Sequence, residues 1–508
     1  MTTSSLPPGA QALVPPVVLV GPPGVGKTTV GPAVADALGL RFVDLDVRAD
    51  AASYDGSRAS EASFRVREHR ALRAALHEGA VVIAAGGGIT DADDNRALIS
   101  RALVIALDAP ASVCLTRLGG STRPWLSGSD DERARTYAAR EADRPDVRRA
   151  LARSSVDARG DVHDVVGAVV AAARAARMRV VPDADVADAL DVVGDATARG
   201  ARAFVVADPR VAAALPHVDH AVAIDGAHKR LANVDALLAV FAAAGLRRTD
   251  TIVAVGGGVL LDVTGLAAGL YHRGTPWRAV PTTLLAMVDA GLGGKTAVDV
   301  VAADGAVTRN GAGLIHAPAS AHVWPGFLRT LADDALRHGR AEMLKHALLA
   351  GDTDLVAACA TDASAIALSR GFKRAVVDVD AHERHLRHAL NLGHTFAHAL
   401  ESVTGIAHGD AVLFGLRAAL TLSERTAGLR AHEADRARVA VEGLSPPDLR
   451  LDGAERARLH AALERDKKGG RYVVLRALGE PVLVPRAAVA DADIDAAIDS
   501  MTKRTPAQ

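Results

Sequence analysis

The chain alternates between short β-branched runs and longer stretches in which apolar residues recur every three or four positions. Val17–Val20 is a solid apolar run ending in glycines, and it predicts a buried strand. Lys27–Leu38 then carries helical spacing. Arg41–Leu45, Val81–Ala85 and Leu103–Leu107 read as further strands, with helical segments between them. Strands alternating with helices predict a parallel sheet covered on both faces. The pattern fades near Arg174–Arg179. It restarts with strands at Ala203–Ala207 and Thr251–Val255 and helical stretches at Asn233–Ala244 and Val259–Leu270. From about Leu331 it is helical nearly to the end, apart from a strand at Tyr472–Arg476.

Those changes of period divide the chain, and its 508 residues suffice for several separate cores. The expected units are a disordered tail over 1–15, an α/β unit over 16–175, a second α/β unit over 176–325 and a mostly helical unit over 326–508. The cleft between the last two is the expected place for a site. Basic and acidic residues nearly balance, 59 against 60, which argues against a general nucleic-acid or membrane-surface binder. The two cysteines, Cys114 and Cys359, form no CxxC pair, so neither a disulfide framework nor a thiolate zinc knuckle is expected. The first residues lack a basic start and a long apolar core, so no secretory signal is read there. Apolar stretches such as Val165–Ala176 are too short or too interrupted to span a bilayer. The expected location is the cytoplasm, and the expected partners are small-molecule substrates.

Chemistry enters at GPPGVGKT, Gly21–Thr28, between a predicted strand and a predicted helix. The spacing lets backbone N–H groups close around phosphate oxygens at the positive end of a helix. Gly21, Gly24 and Gly26 shape the loop, Lys27 reaches the β- and γ-phosphates, and Thr28, with Thr29 beside it, faces Mg2+. ATP with Mg2+ is the expected ligand. A glycine-rich turn of no function is the alternative, and the flanking strand and helix argue against it.

The phosphoryl acceptor depends on scattered residues. Asp44 and Asp46 close the second strand in FVDLD, and Phe64–Arg65 lie in SEASFRVRE. Gly86–Gly88 end the third strand, and Arg117, Arg123 and Arg144 occupy an arginine-rich stretch. Singly each has a plain reading, Asp44 as a helix cap and the arginines as a solvated face. In this order, over about residues 15–175, they resemble shikimate kinase. The resemblance implies that Asp46 holds the shikimate hydroxyls, that Arg65 and Arg144 clamp its carboxylate, and that Gly86, Gly87 and Gly88 line the ring. It implies also that Arg123 belongs to a lid over the transferring phosphoryl group and that Arg117 stacks on adenine. Planar bidentate donors suit a carboxylate, and an aspartate beside the accepting hydroxyl can orient it or take its proton. The segment after Asp46 is shorter than the family's, and Arg148 stands where a tyrosine is common. Another small-molecule P-loop kinase, such as a gluconate kinase, is the alternative.

A second set begins at VAVGGGVLLD, Val253–Asp262, where Gly256, Gly257 and Gly258 end a strand and open a helix. Such glycines admit a dinucleotide pyrophosphate, although a tight turn reads equally well. PTTLLAMVDAGLGGKT (Pro281–Thr296), RNGAG (Arg309–Gly313) and GRAEMLKH (Gly339–His346) follow. NLGHTFAHALE (Asn391–Glu401), HGDAV (His408–Val412) and RDKKGG (Arg465–Gly470) complete the series. A helix over 391–401 puts His394 and His398 one turn apart on one face, with Glu401 near them. Glu342, His394 and His408 make a two-histidine, one-carboxylate set with positions open to substrate oxygens. The alternative is histidines that cap helices or lie on the surface, and clustering with Glu342 and Lys345 favours a site.

This ordered set resembles 3-dehydroquinate synthase over about residues 180–500. The resemblance implies NAD+, a divalent metal (Zn2+ or Co2+), and cyclisation of 3-deoxy-D-arabino-heptulosonate 7-phosphate to 3-dehydroquinate with phosphate release. By resemblance Gly256–Gly258, Asp262, Thr282 and Thr283 hold NAD+, and Glu342, His394 and His408 bind the metal. Asp289, Lys295, Asn310, Lys345, Lys373, Arg387, Asn391 and His398 surround the substrate. Arg273, Lys295, Asn310 and Arg387 meet its phosphate or carboxylate. Candidate catalytic groups are Asp289, Lys295, Lys345 and His398 here, and Lys27, Asp46 and Arg123 in the first half. A homodimer through the cyclase half is likewise implied. The chain departs from the family at Leu261, a usual glycine; at GAHK (Gly226–Lys229), which lacks a glutamate; and at Arg309, Ala317 and Asp410. The fold class expected is a P-loop kinase domain with a parallel sheet, then an α/β NAD-binding domain and a mostly helical metal-binding domain. The function expected is a bifunctional shikimate-pathway enzyme. The alternatives are one catalytically degenerate half serving as a scaffold, or another sugar-phosphate cyclase fused to a different small-molecule kinase.

Overall fold

In a computed structural model, residue 7 and residues 10–502 are described, except 54, 56, 79–80, 120–122, 176–182, 184–185, 187–201, 214, 216, 225–228, 304–306, 353 and 465–469. Val17–Val20 (β2, the second strand in the chain) is buried along its whole length, as its unbroken apolar run requires, because it lies at the middle of a five-stranded parallel sheet. The sheet runs Arg41–Asp44 (β3), Val81–Ala84 (β4), β2, Leu103–Asp108 (β5), Ser154–Asp157 (β6). Alternate side chains of β2 enter different cores. Val17 and Leu19 pack with Lys27–Leu38 (α1) and with Val165 and Val169, whereas Val18 and Val20 pack with Leu72 and Ala75 of Arg58–His77 (α2). Strand β6 escapes sequence reading because it is a polar edge strand with one buried residue, Val156. Ala111–Leu118 (α3), Asp130–Glu141 (α4), Arg144–Leu151 (α5) and Val162–Ala175 (α6) complete this unit.

The stretch read as a disordered tail is in part ordered. Gln11–Ala12 (β1) forms a strand, and Leu13 and Val14 are buried. Two adjacent apolar side chains in extended backbone face opposite ways, and each has found a core. Residues 1–6, 8 and 9 lie outside the described residues, as does the expected boundary at 176–179.

The second sheet is also parallel. Its order is Ser320–Ala321 (β13), Trp277–Pro281 (β10), Thr251–Gly256 (β9), Ala203–Ala207 (β7), His220–Ala221 (β8). Leu231–Ala243 (α7) and Gly258–Leu270 (α8) pack against it. An antiparallel ribbon, Lys295–Val301 (β11) and Val307–Ile315 (β12), stands apart from the sheet.

The rest is helical, as the periodicity predicts: Asp333–Ala350 (α9), Ala363–Val379 (α10), His394–Thr404 (α11), His408–Thr426 (α12), Ala431–Gly443 (α13), Gly453–Glu464 (α14) and Asp491–Thr502 (α15). Helix α12 is the axis, buried almost throughout its middle from Gly409 to Leu420. The expected strand near Tyr472 is Arg471–Ala477 (β14), and it pairs with Glu480–Pro485 (β15) across a turn at Gly479, φ 80°. Strand β1 adds to the outer edge of β15. Among the described residues no helix is long and apolar enough to cross a membrane.

Candidate active sites

The phosphate loop joins β2 to α1, and Gly24 and Gly26 have φ of 83° and 108°, which side chains disfavour. Lys27 turns back into the loop and donates to the carbonyls of Gly21 (2.8 Å) and Pro22 (3.0 Å). Burial pushes its ammonium down to about 8, and Arg148 adds to the shift. Thr28 donates to Asp44 Oδ2 at 2.7 Å, while Asp44 Oδ1 caps the turn Leu45–Arg48 through the Asp46 and Val47 N–H groups. Asp44 is thus both the cap and a neighbour of Thr28. Asp46 is raised above the usual carboxylate range by burial and by the Asp44 charge. A cavity of about 430 Å³ is lined by Lys27, Thr28, Thr29, Asp44, Asp46, Gly87, Arg117 and Arg123. Exposed Arg117 anchors on the Val25 and Ala158 carbonyls at its edge. A larger cavity, about 570 Å³, is bordered by Pro22, Asp108 and Arg148 and holds none of these residues.

The triple glycine lies against the acceptor residues. A β-carbon on Gly86 would come within 2.8 Å of Asp46 Oδ1, and one on Gly88 within 2.4 Å of Arg65. Arg65 and Arg144 converge on one carboxylate, that of Asp91. Arg144 grips it with Nε at 2.9 Å and a second nitrogen at 2.5 Å, and Arg65 stands 3.8 Å away. Asp91 and buried Glu68, which binds Arg65 at 2.7 Å, were not singled out in the sequence. Arg148, in a usual tyrosine position, is buried and pairs with Glu141 at 2.6 Å while donating to the Gly87 carbonyl.

In the second half, α9, α11 and α12 bring Glu342, His394 and His408 together. Their ligand atoms lie within 4.8 Å of one another. His394 Nε2 is 3.4 Å and His408 Nε2 3.8 Å from Glu342 Oε1. Glu342 is fully buried, and neither oxygen accepts a hydrogen bond, although Lys345 forms an ion pair with it. Burial would raise this carboxyl, but Lys345 and then His394 outweigh it and hold it well below its usual range. Burial, with Lys345, lowers His394, which keeps its imidazole neutral. At His408 burial is outweighed by Glu401, 3.3 Å from Nδ1, which raises it. A buried carboxylate with one oxygen paired to Lys345 and the other faced by two imidazoles is a donor set that fits a divalent cation. His398 is exposed, with its ring 5.5 Å from that of His394, one turn away as expected.

Around this cluster the motifs converge. Lys373 donates to both the carbonyl and the carboxylate of Asp289, each at 2.6 Å. Burial would raise Asp289, but Lys373, Lys345 and His346 together outweigh it and hold the carboxyl below its usual range, in its ionised form. Lys295 forms an ion pair with Glu383, which also accepts from Asn391 at 2.9 Å. Arg387 is buried against Gly293, where a β-carbon would sit 2.7 Å from its guanidinium. The glycines Gly256–Gly258 and the pair Thr282–Thr283 are neighbours because β9 and β10 run parallel, with Pro281 beside Gly256. A β-carbon on Gly257 would stand 3.3 Å from Thr283. Bare backbone at the N-terminus of α8, edged by hydroxyls, fits a dinucleotide pyrophosphate.

Several departures from the family pattern have structural explanations. Leu261 faces the core, 1% exposed among Phe204, Ile252 and Leu266, so it fills space behind the cradle rather than blocking it. Lys229, the surviving end of GAHK, bridges Asp262 and Asn310 at 2.5 Å each. Burial pushes Asp262 up to about 6, with Lys229 opposing the shift. Asp410 is reached by Arg337 at 2.8 Å and His338 at 3.3 Å, which ties α12 to α9. Asn310 therefore belongs beside Asp262 rather than beside Lys295 and Arg387. Arg273 is exposed at φ 62° and joins none of these residues by a hydrogen bond or ion pair. Residues 465–469 of RDKKGG lie outside the described residues. Sequence reading also missed His346, whose ligand atom lies within 4.8 Å of those of Asp289 and Glu342, and Glu383, which carries φ 54°.

Fold and site together define a P-loop kinase unit followed by an NAD-type cyclase unit. Residues 23–173 match the shikimate kinase family, residues 220–338 the N-terminal part of 3-dehydroquinate synthase and residues 339–469 its C-terminal part. The 3-dehydroquinate synthase of Aeropyrum pernix is 36% identical over 282 residues, 51% of this chain and 76% of that one. That of Acidithiobacillus ferrooxidans is 37% identical over the same shares. The solved structure of ValA, the 2-epi-5-epi-valiolone synthase of Streptomyces hygroscopicus subsp. jinggangensis 5008, with NAD+ and Zn2+ bound, is 25% identical. It superposes with TM-score 0.53 over 65% of this chain and 99% of that chain. The chain belongs to the 3-dehydroquinate synthase family and carries a shikimate kinase domain ahead of it.

Proposed function

We propose that residues 16–175 transfer the γ-phosphoryl group of ATP to shikimate, and that residues 176–508, an NAD-binding part over 176–325 and a metal-binding part over 326–508, cyclise 3-deoxy-D-arabino-heptulosonate 7-phosphate to 3-dehydroquinate. The observation that carries the cyclase reading is buried Glu342, with Oε1 facing the His394 and His408 imidazoles and Oε2 paired to Lys345. The kinase reading is supported by Arg65 and Arg144, which converge on a carboxylate that stands where a substrate carboxylate would bind.

In the kinase, Lys27 and the loop N–H groups bind the phosphates, and Thr28 and Asp44 would hold Mg2+, which when bound would supply positive charge to the phosphates. Asp46, raised in pKa, orients the accepting hydroxyl and takes its proton. Arg123 stabilises charge on the transferring group. In the cyclase, Glu342, His394 and His408 would hold Zn2+ or Co2+, and Gly256–Gly258, Asp262, Thr282 and Thr283 would hold NAD+. When bound, these supply a Lewis acid and a reversible hydride acceptor. Lys373 fixes Asp289 in its ionised form, Lys345 balances the Glu342 charge, and Lys295, Arg387 and Asn391 orient the substrate's anionic groups. His398, exposed one turn from His394, would exchange protons with substrate, a role its 5.5 Å ring separation from His394 supports.

A cytoplasmic homodimer through the cyclase half completes the proposal. The exposed apolar residues Val300, Val301, Val307, Leu314 and Ile315 on β11–β12 support such a face. Light scattering tests it: a particle of twice the 52.4 kDa chain mass agrees, and a monomer contradicts it. Purified protein tests the chemistry. Phosphate release from the heptulosonate with NAD+ and Zn2+ supports the cyclase, and release at background rejects it. ATP consumption with gluconate but not shikimate rejects the kinase assignment.

A further inference from the structure

The segment ahead of the kinase unit is built into the cyclase unit. Strand β1 pairs antiparallel with β15, Gln11 opposite Leu483 and Ala12 opposite Val482, and Leu13 N–H donates to the Pro481 carbonyl at 3.0 Å. Leu13, 3% exposed, belongs to the same core as Leu344, Phe396 and Leu413 of the metal-bearing helices. Its neighbour Val14 belongs to the kinase core with Val17 and Val34. The chain thus passes from one core to the other in a single residue.

The hairpin that β1 covers touches all three helices that carry Glu342, His394 and His408. Gly479 N–H donates to the Leu348 carbonyl of α9. Tyr472 of β14 stacks on Phe396 of α11, ring centroids 5.4 Å apart. Leu475 N–H donates to Ser423 Oγ of α12 at 2.8 Å. An exposed strand edge is prone to fraying or mispairing, and a third strand removes that freedom.

We infer that residues 10–14, although they precede the kinase unit in the chain, are a structural strand of the cyclase, bracing the hairpin that aligns its metal-bearing helices. The part of this inference that concerns metal rests on the proposed Glu342–His394–His408 site; the part that concerns the brace does not.

The test uses full-length protein carrying Leu13→Asp, with Leu13→Ala as the milder variant should the first fail to fold. Hydrogen exchange is followed at amides of 471–485, and zinc retention is followed by metal analysis after dialysis against a chelator. Exchange at 480–485 should accelerate at least tenfold in Leu13→Asp and in the same direction in Leu13→Ala. Zinc should be lost faster, while shikimate-dependent ATP consumption stays within twofold. Unchanged exchange at 480–485 in both variants overturns the inference. If wild type and variants alike retain no zinc but exchange accelerates, the brace stands and the metal site fails.

Discussion

Glu342 Oε1 lies 3.4 Å from His394 Nε2, inside a core where neither Glu342 oxygen accepts a hydrogen bond. Lys345 pairs with its other oxygen, and the oxygen that faces the two imidazoles completes the donor set a divalent cation would take. Glu342→Gln should therefore lower metal affinity by about 10²-fold or more, since an amide oxygen brings no charge. Metal content after dialysis checks this. Retention equal to that of the wild type would remove Glu342 from the ligand set.

Asp91 occupies the guanidinium groups of Arg144 and, at longer range, of Arg65. If those arginines bind the substrate carboxylate, Asp91 competes with it. Asp91→Asn should then lower the KM for shikimate about three- to tenfold, matching the ~1 kcal/mol of a partly exposed charged pair. A raised KM would mean instead that Asp91 positions the arginines for the substrate.

Lys27 has a pH consequence. Its folded-state pKa, about 8, lies below the ordinary lysine value of 10.5, so the neutral form is favoured in the fold. Between those two values the unfolded chain binds more protons, and this group's contribution to stability rises with pH. The charge available for phosphate is lost as pH climbs through about 8. ATP restores it, so binding near pH 8 should take up protons and weaken toward pH 9. Calorimetry in buffers of different ionisation enthalpy reads the uptake directly, and proton release would contradict the assignment.

Leu261 fills core volume behind the dinucleotide cradle. Restoring the family glycine with Leu261→Gly should cost about 3–6 kcal/mol, combining cavity and helix-propensity terms. It should leave NAD+ affinity no better. A tighter Kd for NAD+ in a folded variant would mean that the leucine does obstruct the cradle.

Much of this was legible in the chain because the informative residues are local. The loop Gly21–Thr28 is set by its own spacing between a strand and a helix, and His394 and His398 follow from helical period. What eluded the sequence depends on distant pairing. Lys229 acquires meaning only against Asp262 and Asn310, 33 and 81 residues away. Glu383 matters because β11 and the turn before Leu386 bring Lys295 and Asn391 to it. Strands β6 and β1 hide for a related reason: a polar edge strand and a two-residue strand carry no alternation to read. Arg273, which only the family resemblance assigned to the substrate's anionic groups, is exposed and apart from the cluster around Asp289.

The central claim is that one chain carries two separable active sites. The most direct measurement assays a single preparation each of wild type, Lys27→Ala and His394→Ala for both reactions: shikimate-dependent ATP consumption, and phosphate release from the heptulosonate with NAD+ and Zn2+. Wild type should perform both, Lys27→Ala should lose only the first and His394→Ala only the second, each by about 10²-fold or more. A wild-type chain silent in either assay, or a single substitution that abolishes both activities, would contradict the account.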